Sequence, residues 1–394
     1  MSRQSIFRPV ILLSAACFVS VATMRVADPL IPQIASEFSV PVGEAAVISM
    51  AFALSYGISQ LIYGALGDRF GKYRLIALAT LATAPMVASA GLVGSLTGLG
   101  VARLAAGATA GAIVPLAMAF IGDHVTYDQR QTMLARMLTG TILGTIAGQV
   151  FGGVLGELVG WRGVFLALAA LFLAIGSLLL VELRSGRVPT PVLSDAISPS
   201  AVIEAYALLL RRPWARVVLA TVFIEGFLFY GGATYVGAYL HEQFRLDYAM
   251  IGLFLGAMGV GALLYTVSVR HLVNALGERG LSITGGTVVT VGFVGVAAGG
   301  LSLMAPAILL LGLGLVMLHN TLQTNATQMA PGSRGLAVST FANMLFLGQA
   351  AGVWLCGILI ERIGYAAVFV AMGVGMAVLG AVFTTLLRRR PAAA

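Results

Sequence analysis

The chain has little charge and almost no cysteine. Only 10% of its 394 residues are charged, whereas 59% are hydrophobic, and the mean hydropathy is +0.97. Soluble domains carry roughly 25% charged residues, so this composition excludes an ordinary soluble protein. The two cysteines, Cys17 and Cys356, both fall within long apolar runs. That placement argues against a disulfide framework and favours small core residues.

The sequence also lacks the motifs of catalysis and of nucleotide binding. It contains no HExxH, no G-x-S-x-G, no GxxxxGK[ST] loop and no Cys/His cluster with metal spacing. The net charge of +8 is scattered over short loops without clusters of aromatic and basic residues. We therefore expect no enzyme activity, no cofactor, no metal and no nucleic-acid partner.

What the chain has instead is a series of apolar runs, each near the roughly 20 residues that cross a membrane. The first run follows a basic start, as in a signal peptide, but it is long enough to span and shows no small-residue cleavage site. We predict an all-α membrane protein with twelve transmembrane helices, at 8–33, 43–65, 73–94, 97–121, 134–156, 162–182, 215–238, 248–268, 281–301, 305–328, 335–359 and 365–387.

The positive charges orient these spans in the lipid bilayer. Of the 23 lysines and arginines, 18 fall on the side of the two termini, three on the opposite side and two, Arg25 and Arg103, within spans. Because cytoplasmic loops carry the excess of positive charge, we expect both termini in the cytoplasm and the protein in a bacterial inner membrane.

The second half of the sequence repeats the first. A shift of 204 residues aligns Gly153 with Gly357, Glu157 with Glu361 and Gly160 with Gly364, and a shift of 206 aligns Phe38 with Phe244 and Gly71 with Gly277. We predict a bundle over 1–183, a cytoplasmic linker with a short amphipathic helix over 184–214, and a second bundle over 215–394. Two parallel halves of this kind are one of the repeat arrangements of secondary transporters.

Residues 64–74 read GALGDRFGKYR, a charged and glycine-broken loop between two apolar runs. Its spacing, Gly64-x-Leu66-x-Asp68-Arg69-x-Gly71-Lys72, resembles the loop signature of the major facilitator superfamily of transporters. The likeness extends over essentially the whole chain and is nearest to bacterial twelve-span drug–proton antiporters, a group that also includes sugar and metabolite exporters. It implies two pseudo-symmetric six-helix bundles.

The resemblance implies that this loop is a conformational latch. In the family the acid at Asp68 contacts the eleventh helix, which here begins near Gly335, and a basic residue at Lys72 pairs with an acid at Asp123. The second copy has Asn274 in place of the acid, so we expect the latch on one side only. The alternative is a basic loop that only sets the topology. The latch residues are Gly64, Asp68, Arg69, Gly71, Lys72 and Asp123.

Glycines recur on the fourth and fifth spans. Arg103 precedes Gly107, Gly111 and Pro115 at every fourth position and resembles the family's second motif. The fifth span resembles the third motif, which the family associates with antiporters, but Gly148-Gln149 replaces the usual Gly-Pro. We expect four glycines of the fifth span to act in gating, and ordinary packing of small residues is the alternative. These glycines are Gly144, Gly148, Gly152 and Gly153.

Charged residues inside the spans are candidates for function, because they are costly there. Arg25 and Asp28 lie three apart on one helix face and can pair. We expect them to form one polar cluster with Arg103 at similar depth in the central cavity. The alternative is a structural salt bridge between helices.

Glu225 lies near the middle of the seventh span, and His319 on the tenth span reaches a similar depth. A buried carboxyl tends to hold its proton and an imidazole can exchange it. We expect Glu225 to be the main proton carrier and Asp28 a substrate-responsive partner. A protonated structural glutamate is the alternative. Further candidates for the substrate cavity are Tyr56, Gln60, Tyr230, Tyr235, Asn320 and Gln323.

We expect a monomeric, proton-coupled exporter of small organic solutes that works by alternating access. A proton-coupled importer is the second hypothesis, and a non-transporting sensor on the same fold the third. The buried arginines favour anionic cargo, whereas Asp28 and Glu225 could hold a cation, so the cargo stays open.

Overall fold

The structure is a computed structural model that describes residues 3–125, 127–186, 188, 199–330 and 334–388. Within these ranges it contains helices and no strand. The helices are α1 (Arg3–Arg25), α2 (Ala27–Phe38), α3 (Val42–Ala45), α4 (Val47–Phe70), α5 (Lys72–Leu92), α6 (Leu96–Ala110), α7 (Ile113–His124), α8 (Tyr127–Arg184), α9 (Pro199–Arg211), α10 (Pro213–Ala233), α11 (Val236–Phe244), α12 (Tyr248–Ala298), α13 (Leu301–Ala326), α14 (Arg334–Ile363) and α15 (Tyr365–Arg388).

Ten helical stretches of the described chain are long and apolar enough to cross a membrane. Two of them, within α8 and α12, run for 53 and 51 residues. At 1.5 Å per residue each would measure about 80 Å, more than twice the roughly 30 Å of a hydrocarbon core. Each turns at a glycine with positive φ, Gly160 in α8 and Gly277 in α12. Each therefore provides two crossings, which reconciles the ten stretches with the twelve predicted spans.

The structure corrects the predicted boundaries at these two turns. Hydropathy predicts loops between the fifth and sixth spans and between the eighth and ninth, but helical structure continues up to and beyond a single residue in both places. Glycine makes this compact turn accessible because it lacks the Cβ that penalises positive φ. Four other spans are interrupted instead, at Val26, Ala46, 111–112 and 234–235.

The backbone repeats in the registers seen in the sequence. Ser39 and Arg245, which are 206 residues apart, are left-handed residues that end α2 and α11. Positive φ also occurs at Gly71 and Gly277, 206 apart, and at Gly160 and Gly364, 204 apart. We therefore call residues 3–184 the first half and residues 213–388 the second half, with α9 between them.

Glycine faces hold helices together within each half. A Cβ at Gly144 or Gly148 of α8 would lie 2.5 Å from a carbonyl oxygen of α1. At the equivalent positions of α14, Gly348 and Gly352, it would lie 2.0 to 2.1 Å from a carbonyl oxygen of α10. Such close backbone approach compensates for the missing hydrophobic driving force between helices in lipid.

The bundle has two ends, which we name by the chain termini. At the termini end, Arg8 of α1 lies 3.6 Å from Glu182 of α8. At the far end, the two halves meet where Gly153 of α8 approaches Gly252 of α12. Nearer the termini end, Gly64 and Gly335 both face open space.

Candidate functional site

A buried ion pair lies at the junction between α1 and α2. Arg25 Nη1 is 3.9 Å from Asp28 Oδ2, and the hydroxyl of Ser49 on α4 donates to Asp28 Oδ1 at 3.2 Å. Both charged side chains are buried. The guanidinium carbon of Arg25 also lies 4.4 Å from the ring centroid of Tyr230 on α10. This cation–π contact joins the first half to the second.

Arg103 lies beside this pair rather than within it. Its Nε donates to the backbone oxygen of Ile48 at 3.0 Å, and its guanidinium carbon is 4.2 Å from the ring centroid of Phe52 and 5.4 Å from that of Phe165. The side chain is fully buried, and its Nη1 and Nη2 have no hydrogen-bond partner among the described residues. Asp28 is within electrostatic range of Arg103. The expected three-residue cluster is therefore an ion pair with an arginine held nearby by aromatic rings.

The second half holds a carboxyl–imidazole pair. His319 Nδ1 on α13 is 2.8 Å from Glu225 Oε2 on α10. Glu225 is fully buried, and its Oε1 has no hydrogen-bond partner among the described residues. The His319 side chain keeps 24% exposure, and its ring lies 5.3 Å from that of Phe341. A hydrogen bond at this distance requires a proton between the two groups, so the pair can store one and pass it on.

Tyr230 connects the two pairs electrostatically. Its phenol is within range of the charges of Arg25, Glu225 and Asp28. Arg25 and Asp28 belong to the first half and Glu225 to the second. Any motion of one half against the other therefore changes the charges that Tyr230 faces.

The remaining candidates for the substrate cavity fall into two groups, and the first group lies on α4. Tyr56 stacks on Phe52 at 5.7 Å and meets Phe346 of the second half edge-on at 4.9 Å. Gln60, one turn further along α4, is buried with an unpartnered Oε1 among the described residues. Tyr56 and Gln60 thus lie on the helix that faces α14.

Two other candidates make hydrogen bonds inside the second half. Asn320 donates to the hydroxyl of Tyr265 at 2.8 Å, and the hydroxyl of Tyr235 donates to the backbone oxygen of Val353 at 2.7 Å. Tyr235 is fully buried and Gln323 half-buried. The bond to Val353 fixes Tyr235 against α14.

Sequence reasoning missed two buried amides on α14. Asn343 Nδ2 and Gln349 Oε1 have no hydrogen-bond partner in the part of the chain that the structure describes. Asn343 faces Gly57 of the first half, where a Cβ would lie 3.6 Å from Nδ2. The available signal was a lone amide within an apolar span, which is a reason to look for function.

At the termini end, Lys72 lies between two acids. Its Nζ is 2.6 Å from Asp68 Oδ1 and 2.6 Å from Asp123 Oδ2. Gly71 turns the chain between α4 and α5 with φ of 86°, and Arg69 lies over the ring of Phe70. Asp68 is thus paired within its own half here, and its contact with the start of α14 stays a prediction.

The glycines of the fifth span face in two directions. Gly144, Gly148 and Gly152 pack on the α1–α2 region, whereas Gly153 faces Tyr248 and Gly252 of the second half. The helix continues through Gln149, where the family motif has proline.

Comparison with known proteins settles the family. The family model described as Major Facilitator Superfamily matches residues 13–341. The chain belongs to the Major Facilitator Superfamily. It is therefore a multi-pass membrane transport protein that acts on a small-molecule substrate, and it is not an enzyme.

Relatives and solved structures of this superfamily resemble the whole chain. The uncharacterized MFS-type transporter YwfA of Bacillus subtilis (strain 168) is 23% identical over 90% of this chain and 86% of its own length. A bacterial homolog to the human lysosomal transporter Spinster, solved in an inward-facing and unoccupied conformation, matches with a TM-score of 0.80 at 17% identity over 100% of both chains. A point mutant of the nucleoside transporter NupG matches with a TM-score of 0.77 at 14% identity, over 96% of this chain and 99% of its own.

One similarity is partial. Multidrug export protein EmrB of Haemophilus influenzae is 29% identical over 31% of this chain and 24% of its own length.

Proposed function

We propose that the protein is a proton-coupled antiporter that exports a small organic solute by alternating access. The observation that carries this proposal is the hydrogen bond between the buried Glu225 and the half-buried His319 in the second half, close to the contact of Arg25 with Tyr230 that joins the two halves. Transport against a gradient needs an energy source, and the sequence has no nucleotide-binding loop. One proton that crosses 100 mV supplies about 2.3 kcal/mol.

The charge distribution orients this cycle. With 18 cations on the termini side, we place the termini end in the cytoplasm. The contacts between the halves at the far end then correspond to an inward-facing state. Cargo would enter from the cytoplasm, beside the open space at Gly64 and Gly335.

The two pairs give a mechanism of exchange. In the outward-facing state a proton from outside would bind the Glu225–His319 pair and favour release of cargo. In the inward-facing state cargo would displace that proton to the cytoplasm, and Asp28 would respond to the cargo through Arg25. Buried polar atoms without partners in the described ranges, on Gln60, Asn343 and Gln349, are available to polar groups of the cargo or to water.

Partial similarity to a multidrug export protein supports the direction of transport. Two features favour the opposite direction of transport as a second candidate. Gln149 stands where the antiporter motif has proline, and Arg25 and Arg103 are buried near Asp28. A proton-coupled importer of an anionic solute would fit both features.

Counterflow in proteoliposomes with an imposed pH gradient separates the two candidates. For a panel that includes ethidium, a nucleoside and an organic anion, an antiporter accumulates cargo in the compartment that holds more protons. A symporter accumulates it in the compartment that holds fewer. Glu225→Gln should abolish the response to the gradient in either case, and a full response in that variant would refute the assignment of the proton carrier.

A further inference from the structure

A carboxylate crosses from the first half to the second at the far end of the bundle. The backbone N–H of Tyr248, the first residue of α12, donates to Glu157 Oε2 at 3.0 Å. The first N–H groups of a helix have no partner within the helix, and its N-terminus carries partial positive charge. Glu157 of the first half therefore stabilises the start of a helix in the second half.

A second glutamate approaches the start of a helix across the interface, with the roles of the two halves exchanged. Glu361, 204 residues after Glu157, lies on α14 of the second half. Its Oε1 reaches Gly43 of the first half, where a Cβ would lie only 2.8 Å away. Gly43 lies at the start of the helical stretch Val42–Phe70, which is the counterpart of the stretch that begins at Tyr248.

Glycines bring the two backbones close enough for these carboxylates to reach across. A Cβ at Gly153 would lie 2.2 Å from the oxygen of Tyr248, and a Cβ at Gly357 would lie 2.9 Å from the Cα of Gly43. Gly153 and Gly357 are also 204 residues apart, one turn before the two glutamates. Glutamate and glycine therefore form one unit that occurs twice, each copy directed at the other half.

We propose that Glu157 and Glu361 are a symmetric pair of latches that hold the far end closed. Opening the far end separates both carboxylates from the other half at once. The pair thus favours the conformation seen here over the one that opens the far end. The equivalent pair of positions at the termini end is not symmetric, because Asp68 carries a charge and Asn274, 206 residues later, does not. The inference concerns closure alone and does not rest on proton coupling or on the identity of the cargo.

Distance measurement between spin labels tests this inference directly. Leu92 of the first half and Leu303 of the second are exposed at the far end and can be replaced by labelled cysteines. The buried Cys17 and Cys356 are replaced by alanine in every sample. In lipid nanodiscs, Glu157→Ala and Glu361→Ala should each raise the ratio of far-end-open to far-end-closed molecules by roughly 3- to 10-fold, since each removes a carboxylate that lies at the start of a helix of the other half. The double variant should raise it further.

The chain offers a matched control. Glu242 is also a far-end glutamate, but its Oε1 accepts a hydrogen bond of 2.8 Å from Tyr365, in its own half. Glu242→Ala should leave the distance distribution unchanged. Glu157→Gln and Glu361→Gln, which keep shape and one acceptor but lose charge, guard against misfolding and should give intermediate shifts. An unchanged distribution in the folded double glutamine variant, or an equal shift in Glu242→Ala, would overturn the proposal.

Discussion

The guanidinium carbon of Arg25 lies 4.4 Å from the ring centroid of Tyr230, and the contact joins the two halves of the transporter close to the buried acids Asp28 and Glu225. Arg25 also pairs with Asp28 in its own half. The arginine thus has one partner that moves with it and one that belongs to the other half.

This relationship predicts different outcomes for two substitutions of Tyr230. Tyr230→Phe keeps the aromatic face and should retain most of the transport rate. Tyr230→Leu removes the cation–π contact, worth about 0.5 to 2 kcal/mol, and should lower the rate by roughly 2- to 30-fold. Initial rates in proteoliposomes at equal protein content measure both. Equal rates for the two variants would show that the ring face does not matter.

We expect the substitution Arg103→Lys to destabilise the protein. Its planar guanidinium lies against the rings of Phe52 and Phe165 and donates from Nε to Ile48, and a lysine ammonium cannot reproduce that set of contacts. We expect Arg103→Lys to lower the melting temperature in detergent by several degrees, at about 1 to 3 kcal/mol of lost stability. Arg211→Lys, at an exposed position at the end of α9, is the control and should leave the melting temperature unchanged. Equal melting temperatures for both variants would argue against these contacts as a source of stability.

The packing of α8 on α1 predicts a penalty for Gly148→Ala. The new Cβ would lie 2.5 Å from the backbone oxygen of Ala22, which cannot move aside as a flexible side chain can. Overpacking of this kind costs typically about 1 to 3 kcal/mol, so the melting temperature should fall.

Gly122→Ala is the matched control for that substitution. Gly122 lies in the last turn of α7, still within the helix, and faces open space. There alanine should stabilise the helix by about 0.5 to 1 kcal/mol relative to glycine. A fall in melting temperature as large as that of Gly148→Ala would contradict the packing explanation.

The loop at 64–74 gives a prediction about the termini end. If Asp68 contacts α14 in the outward-facing state, Asp68→Asn should weaken that state and expose the termini end more often. Gly335→Cys, at a position that faces open space, can report this through its rate of reaction with a membrane-impermeant maleimide, because Cys17 and Cys356 are buried. We expect a faster reaction in Asp68→Asn and a smaller increase in Asp123→Asn, because Asp123 pairs with Lys72 and is not the acid expected to contact α14. Equal rates in the parent protein and in both variants would indicate that the loop only sets the membrane topology.

Much of the fold was predictable because a bilayer restricts the choices. Apolar runs of spanning length and the repeat registers indicated the helices and the two halves, and positive φ at Gly71, Gly160, Gly277 and Gly364 follows the repeat. The compact turns at Gly160 and Gly277 were not predictable from hydropathy. The charged residues beside Gly277, among them Arg270, Glu278 and Arg279, indicated a loop, but hydropathy does not show that helical structure continues through them up to a single glycine.

The site was predictable where charge in an apolar span is costly, and less so elsewhere. That cost singled out Arg25, Asp28 and Glu225, and depth along the helices paired Glu225 with His319. The depth of Arg103 along its helix did not predict the position of its guanidinium, because that position is set by aromatic rings from two other helices. Asn343 and Gln349 were overlooked because neutral amides are a weaker signal than charges in the same span.

The most direct measurement is the response of transport to a pH gradient in Glu225→Gln. Proteoliposomes would be loaded with the first compound of the panel that the wild-type protein accumulates, and His319→Gln would be measured beside it. Exchange of cargo without a gradient should persist in Glu225→Gln, since the carboxamide keeps the shape of the buried side chain, but gradient-driven accumulation should be lost. Accumulation equal to that of the wild-type protein would contradict the claim that the Glu225–His319 pair carries the proton.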